Sequence, residues 1–234
     1  MVRFSQMVVE YPWIEEIDLN PLLASSRGLL AQDARVLLHD ASLRPDQLPM
    51  PAIRPYPSQY ISQFTMKEGS EVTLRPIRPE DEPLMSKFHE TLSERSIYMR
   101  YFSSPSLSSR VAHERMVRIC LVDYDRVMAL VVDHKDEVTG QHGILGVGRL
   151  IKLPTKNEAE IAILVSDQFQ KQGLGIELLR RTVQIARDEK LSSVSAEMLQ
   201  DNLTVQRIFK KVGFRLRPLA DSSSISAVLD LGIL

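Results

Sequence analysis

The sequence predicts an α/β fold in which one mixed, mostly antiparallel, twisted sheet is flanked by helices on both faces. The first observation is the order of periodic segments after residue 70: strand, helices, three strands, helix, strand, helix and two strands. The second is a pair of glycines, Gly173 and Gly175, between a strand-like run and an amphipathic run. The third is an ordinary globular composition of 44% hydrophobic and 25% charged residues.

The individual elements follow from local patterns. A strand is predicted over 72–77, and a helix follows because Pro79 suits its first turn and Leu84, Phe88 and Leu92 share one face. A short helix or turn over 93–102 and a helix over 106–119 come next. The remaining predictions are strands over 126–133, 144–152 and 158–165, a helix over 173–188, a strand over 192–199, a helix over 203–212 between Asn202 and Gly213, and strands over 214–217 and 226–231.

Prolines divide the chain. Five of them fall between residues 45 and 57, and each fixes its own φ and restricts the residue before it: Pro45, Pro49, Pro51, Pro55 and Pro57. We therefore predict a semi-rigid linker over 43–60, a small N-terminal segment over 1–42 and a large domain over 61–234. In the small segment, strands are predicted over 14–19 and 30–38.

Polar residues share one face of the first N-terminal strand: Glu16, Asp18 and Asn20, with Asp33 available from the second strand. Such oxygen ligands could hold Mg²⁺, but a solvated hairpin face is the preferred interpretation. The run from Glu16 to Leu23, followed by Gly28 and the run from Asp33 to Val36, resembles the closing segment of an ATP-grasp domain in ADP-forming acyl-CoA synthetases. In that family the positions of Asn20 and Asp33 bind Mg²⁺. We predict a remnant without ligase activity, in a fragment or truncated relative of a longer protein.

The run from Gln170 to Gly175 predicts an anion site. It follows a strand-like run, and it opens a helix with Ile176, Leu179 and Val183 on one face. The first turn of a helix leaves N–H groups free and carries partial positive charge, and glycines allow the backbone to approach an anion closely. A plain tight turn is the alternative for the two glycines alone.

Two motifs together resemble the GNAT acetyltransferase superfamily over residues 70–232. One motif is Gln170, Gly173 and Gly175, and the other is Asn202, Val205, Ile208, Phe209, Lys211, Gly213 and Phe214. The resemblance implies that acetyl-CoA binds with its pyrophosphate on the amides of Gln172, Gly173, Leu174, Gly175 and Ile176. It also implies flanking roles for Gln170 and Lys171, pantetheine pairing with Leu164 and Val165, and cofactor contacts from Asn202 and Phe209.

A closer similarity is to the C-terminal domain of bacterial Pat-type protein lysine acetyltransferases. It rests on the ATP-grasp-like junction and on four runs: Arg75 to Glu82, Met99 to Ser103, Val122 to Arg126 and Ala159 to Ala162. The resemblance places a catalytic glutamate at Glu160. A general base there would help because a lysine ammonium has a pKa of ~10.4 and is almost fully protonated at pH 7. The alternative for Glu160 is an ion pair with an arginine such as Arg149.

Phe209 departs from the many GNAT enzymes that have a proton-donating tyrosine at this position. Phenylalanine cannot donate a proton, but a thiol pKa of ~8.5 makes the thiolate a tolerable leaving group. Tyr98, Tyr101 and Ser166 are alternative donors. The single cysteine, Cys120, is expected to pack in the core rather than carry an acyl group.

The predicted function is acetyl-CoA-dependent N-acetylation of a protein lysine by direct attack, and the Pat resemblance implies AMP-forming acetyl-CoA synthetase as the partner. The alternatives are acetylation of a small amine and a non-catalytic acyl-CoA sensor. A net charge of −1 gives no reason to expect nucleic acid or a membrane as partner, and no metal is expected in the acetyltransferase domain. With no signal-peptide pattern at the N-terminus, the cytoplasm is the expected compartment.

Overall fold

A computed structural model describes residues 7, 11–26, 28–44, 47–48, 54–136, 139–219 and 223–232. Backbone contacts divide the chain into two compact units, Met1–Pro55 and Tyr56–Leu234. Three of the predicted linker prolines, Pro45, Pro49 and Pro51, lie outside the described residues.

The described residues of the first unit form four short strands: β1 Ile14–Asp18, β2 Leu22–Ser25, β3 Gly28–Ala31 and β4 Arg35–Leu38. β1 pairs antiparallel with β4, and β2 pairs antiparallel with β3. The single strand predicted over 30–38 was wrong, because the chain leaves the ladder around Asp33, whose carboxylate accepts the N–H of Ala34 at 2.9 Å. Within the described residues, no group of three His, Cys, Asp or Glu side chains is arranged to hold a metal ion.

The residues described in the second unit form one eight-stranded sheet. Its strands are β5 Ser62–Thr65, β6 Glu71–Pro76, β7 Val127–Lys135, β8 His142–Lys152, β9 Glu158–Val165, β10 Ser193–Leu199, β11 Arg215–Pro218 and β12 Ser224–Asp230. They lie in the order β11-β12-β10-β9-β8-β7-β6-β5, and every neighbouring pair is antiparallel except β9 with β10. This confirms the predicted mixed, mostly antiparallel sheet. β5 was not predicted.

Within the described part of the second unit, six α-helices accompany the sheet: α1 Glu82–Glu90, α2 Glu94–Tyr101, α3 Leu107–Arg110, α4 His113–Cys120, α5 Leu174–Asp188 and α6 Leu203–Val212. The single helix predicted over 106–119 was wrong. Ala112 has φ −54° and ψ 132°, an extended conformation that interrupts the helical hydrogen bonds and separates α3 from α4. None of the helices in the described ranges is long and apolar enough to span a bilayer.

The sheet separates two cores, as alternation along its strands requires. On β7, Met128, Leu130 and Val132 point into one core, while Ala129 and Val131 point into the other. The first core includes the buried face of α5, and the second includes buried residues of α1, α2 and α4. Helices therefore cover both faces of the sheet, as predicted.

Candidate active site

β9 and β10 part beyond their first residues. Their parallel pairing covers only three positions, and the last of them joins Glu160 to Ser195. From there β9 continues to pair with β8 on its other side, while β10 continues with β12. As a result, the backbone groups of residues 161–165 that face β10 have no neighbouring strand to pair with. We call this gap the β9–β10 opening. It can accept an extended ligand that pairs with strand backbone.

The glycine loop, residues 170–175, leads from β9 into α5. Gly173 is the N-cap of α5, and no side chain caps the helix, whereas Ser93 and Asn202 cap α2 and α6. The N–H of Glu177 is the first to reach back to Gly173, at 3.1 Å. The amides of residues 174–176 therefore lack helical partners, and they lie where the helix dipole favours an anion.

The two glycines of the loop are needed for different reasons. Gly173 has a φ of +97°, a conformation that favours glycine, and a Cβ there would make a tight contact of 3.2 Å with the ring of Phe64. At Gly175 the nearest protein atom to such a Cβ would be Ile208 Cδ1 at 3.4 Å, an ordinary contact. The fold itself therefore tolerates a side chain at Gly175. Its absence keeps the helix start accessible to a ligand.

The predicted flanking residues of the loop have unequal surroundings. Lys171 is exposed, with a φ of +65°. Gln170 donates through its amide to Ser96 Oγ and Asp167 Oδ1, both at 3.3 Å. Asp167 was not singled out in the sequence, although it also accepts hydrogen bonds from Ser93 and Ser96. A lone aspartate before a glycine loop carries no sequence signal for partners so distant along the chain.

Glu160 shares a face of β9 with Ala162 and Leu164, because strand side chains alternate. Its side chain is exposed, so it is not enclosed by apolar residues. No described residue forms an ion pair with it. The considered partner Arg149 instead donates to the carbonyl oxygen of Ile119. Glu160 is therefore a carboxylate at the base of the β9–β10 opening with both oxygens available.

A cavity of about 490 Å³ lies on the same face. β8 and β9 form one wall, with Arg149, Ala162 and Leu164, and helices α1, α2 and α4 together with residues 109 and 112 form the others. Of the three alternative proton donors, Tyr101 lines this cavity, Tyr98 is exposed, and Ser166 is buried with its Oγ unpartnered among the described residues. The sheet and the helices thus line a partly open chamber that adjoins Leu164.

The other predicted contact residues lie on α6 and in the cores. Asn202 caps α6 by accepting the N–H of Val205 at 3.3 Å. Phe209 is buried in the first core and packs edge-on against Phe214, with ring centroids 4.8 Å apart. Cys120 is buried in the second core, and burial, with a smaller contribution from Asp81, raises its thiol pKa to about 12.

Comparison with protein families assigns the larger unit. The acetyltransferase (GNAT) domain matches residues 71–215. The chain belongs to the GNAT acetyltransferase family. The predicted resemblance to the GNAT superfamily is therefore confirmed, and that family is one of acetyltransferases. An ATP-grasp domain matches residues 1–38, in line with the predicted remnant.

Individual relatives support the GNAT assignment. Acetyltransferase PA5475 of Pseudomonas aeruginosa is 27% identical over 124 residues, which are 53% of this chain and 63% of the relative. The chain thus spans less than two thirds of that curated relative. The GNAT domain of S. lividans PAT superposes with a TM-score of 0.66 at 23% identity, covering 76% of this chain and 100% of that domain. Mycobacterium smegmatis RimJ, solved with CoA-disulfide, has a TM-score of 0.57 at 14% identity and covers 73% and 87%.

Proposed function

We propose that this GNAT protein transfers the acetyl group of acetyl-CoA to a lysine ε-amine on a protein, with Glu160 as general base. One observation carries the proposal: an unpaired carboxylate stands at the base of a strand opening that leads to an uncapped helix start. The solved relative with bound CoA-disulfide adds support for a CoA ligand. The acetyl group and an acceptor amine would meet between these two features.

The residues of the glycine loop fit the proposed cosubstrate. The pyrophosphate would accept hydrogen bonds from amides between Gln172 and Ile176, with Gly175 leaving room for its approach. The exposed ammonium of Lys171 would add positive charge, and Gln170 would flank the loop. Leu164 and Val165 would offer backbone groups to the pantetheine arm within the opening. Asn202 and Phe209 remain proposed cofactor contacts on α6.

The transfer is direct. The neutral amine nitrogen attacks the acetyl carbonyl carbon, a C–N bond forms, and the bond from that carbon to sulfur breaks. The proton lost by the amine passes to the Glu160 carboxylate, directly or through water, and the CoA thiolate departs with the electron pair of the broken bond. The products are an acetyl-lysine and CoA, which regains a proton from solvent or from a nearby group.

A general base at Glu160 would offset part of the cost of removing the proton from the lysine ammonium. Forming a neutral lysine amine at pH 7 costs about 4.6 kcal/mol when nothing assists it. A positioned carboxylate typically contributes a rate factor of ~10² to ~10⁴ by accepting a proton in the transition state. The departing thiolate needs less help, since its conjugate thiol has a pKa of ~8.5. Of the three candidate proton donors, Tyr101 is the one that lines the cavity.

The identity of the acceptor is proposed from family likeness. Likeness to the Pat type favours a metabolic enzyme, with AMP-forming acetyl-CoA synthetase as the first candidate. We further propose that the reaction takes place in the cytoplasm. Acetylation of a small amine and acyl-CoA sensing without transfer remain the competing functions.

The test compares wild type with Glu160→Gln in acetylation of acetyl-CoA synthetase, followed by mass spectrometry from pH 7 to pH 9. Glu158→Gln is the matched control, because Glu158 lies on the same strand and the same face. We expect Glu160→Gln to lower the rate ~100-fold or more and the control to change little. An unchanged rate for Glu160→Gln would exclude it as the base. Acetyl-CoA binding without any transfer would favour the sensor, and transfer to free amines alone would favour the small-molecule enzyme.

A further inference from the structure

The cavity beside Leu164 is dominated by arginine. Four arginines reach its wall from three elements: Arg100 on α2, Arg115 and Arg118 on α4, and Arg149 on β8. Among the described residues, Glu114 is the one carboxylate on that wall. We call this chamber the arginine cavity. The cavity is partly open to solvent and Arg118 is exposed, yet four charges of one sign in one cavity repel one another, and a bound anion would relieve that repulsion.

These arginines have neutral partners within the described part of the chain. Arg100 and Arg115 lie on the ring of Tyr101, at 5.2 and 5.3 Å from its centroid. Arg118 donates to the backbone carbonyl of Glu114 at 3.3 Å, and Arg149 donates to that of Ile119. None of the four forms an ion pair with a described carboxylate. Their positive charges are therefore not neutralised locally.

Two buried nitrogen atoms at the cavity have no partner among the described residues. One is Nε of Arg115, and the other is Nδ1 of His89, which is only 2% exposed. Burial, followed by nearby arginines including Arg115 and Arg149, lowers the pKa of His89 to about 4, so its imidazole is neutral at pH 7. Buried polar groups normally find a partner, so these two nitrogens have hydrogen-bonding capacity that an ordered water or a ligand in the cavity would satisfy.

We propose that the arginine cavity binds a carboxylate that the acceptor carries close to its reactive lysine, namely an acidic residue beside the target on the substrate protein. The proposal rests on the proposed function and adds the chemistry by which the acceptor is selected. Guanidinium groups bind carboxylates through paired, charge-assisted hydrogen bonds. A carboxylate would neutralise part of the cavity charge.

The same charges would help the amine. An ammonium that enters a positive cavity has its pKa lowered, because nearby like charges disfavour the protonated form. Glu160, on the same face of β9 as the cavity residues Ala162 and Leu164, would then receive the proton. The acidic residue would thus provide binding, while the arginines favour the neutral nucleophile.

The phosphates of CoA are the other anions to consider. The proposed pyrophosphate site is the start of α5, and the body of that helix packs in the core on the opposite face of the sheet from the cavity. Variants of the cavity arginines should therefore leave acetyl-CoA affinity unchanged. This expectation separates an acceptor site from a cofactor site.

The experiment uses the full chain, acetyl-CoA and lysine peptides that carry one Glu, one Ala or one Arg at positions from −3 to +3. For wild type we expect kcat/KM to be at least ~10-fold higher for the best Glu peptide than for its Ala counterpart, the effect of one good charged hydrogen bond. Arg115→Gln should reduce that ratio to about two-fold or less, and Arg115→Glu should reverse the preference toward Arg peptides. Arg187→Gln, an exposed arginine in the last turn of α5, is the control.

Calorimetry with acetyl-CoA, read together with the transfer rates, distinguishes the remaining outcomes. Equal rates for Glu and Ala peptides, or a weaker acetyl-CoA affinity in Arg115→Gln, would overturn the acidic-acceptor proposal. Transfer to free amino acids in preference to every peptide would also overturn it, since the carboxylate would then belong to the acceptor itself. Acetyl-CoA binding without transfer to any peptide or to acetyl-CoA synthetase would instead contradict the proposed function itself.

Discussion

The carboxylate of Asp167 accepts two hydrogen bonds from Ser93, one from the backbone N–H and one from the hydroxyl, each 2.9 Å long. Ser93 is the N-cap of α2, and Asp167 begins the 3₁₀ turn that precedes the glycine loop. The pair therefore joins the loop proposed to hold the pyrophosphate to the helix that carries Arg100 and Tyr101. Together with the hydrogen bond from Gln170 to Ser96, this contact links the glycine loop to the α2 wall of the arginine cavity.

We expect Asp167→Ala to weaken both sites at once. Loss of these hydrogen bonds should lower the free energy of unfolding by about 1 kcal/mol, because the carboxylate is only partly buried. The KM for acetyl-CoA and the KM for the acceptor should both rise, since the loop and α2 lose their common anchor. Urea unfolding and steady-state kinetics provide the measurements. Asp188→Ala, at the exposed end of α5, is the control, and an effect confined to stability would contradict the coupling.

Acid should destabilise the folded protein through Asp133 and Asp167. Burial alone would raise the pKa of each carboxyl, but hydrogen bonds outweigh it and hold both pKa values below the usual range. For Asp133 the donors are Arg75 at 2.8 Å and His142 at 2.7 Å. A depressed folded pKa stabilises the fold above the unfolded value of ~3.9, and this contribution is lost as pH falls through the folded pKa.

Urea titrations at pH 7, 5, 4 and 3 would measure this effect. The free energy of unfolding should fall most steeply below about pH 4. The fall should be shallower in Asp167→Asn, which cannot titrate at that position. An identical pH profile for the variant would show that Asp167 does not contribute.

Much of the second unit could be predicted because its elements have strong local patterns. The helix of Leu174–Asp188 has an apolar face and begins at a glycine, and Leu203–Val212 lies between Asn202 and Gly213. β5 was missed because Ser62–Thr65 is short, mainly polar and paired on one side only, so it lacks a buried-strand pattern. The break at Ala112 was missed because neither glycine nor proline marks it.

The features of the candidate site also differ in whether a local sequence pattern marks them. The glycine loop could be proposed from the sequence because its motif residues lie next to a strand, and Glu160 was proposed from the resemblance to the Pat type. The Asp167–Ser93 contact spans 74 residues, and the arginine cavity combines α2, α4 and β8. No local pattern links residues that only the folded sheet brings together, so these features require the structure.

Cys120 should be chemically inert in the folded protein. With a pKa raised to about 12, roughly one thiol in 10⁴ is ionised at pH 8, and the side chain is buried. Iodoacetamide should therefore react with it orders of magnitude more slowly than with a free thiol, as followed by mass spectrometry. Cys120→Ala should retain the transfer rate, because direct attack needs no thioester on the enzyme. A large loss of activity in correctly folded Cys120→Ala would contradict direct transfer.

Alanine substitutions in the glycine loop should separate folding from ligand binding. Gly173→Ala places a Cβ 3.2 Å from Phe64 at a φ of +97°, so we expect a loss of about 1–2 kcal/mol in stability. Gly175→Ala meets only Ile208 at 3.4 Å, and alanine in place of glycine favours a helix by up to about 1 kcal/mol. Gly175→Ala should therefore be as stable as wild type or more so, yet bind acetyl-CoA at least ~10-fold more weakly, because its methyl group occupies the space proposed for the pyrophosphate. Thermal unfolding and calorimetry on the two variants measure both quantities, and unchanged acetyl-CoA affinity in Gly175→Ala would show that the phosphates do not approach the start of α5.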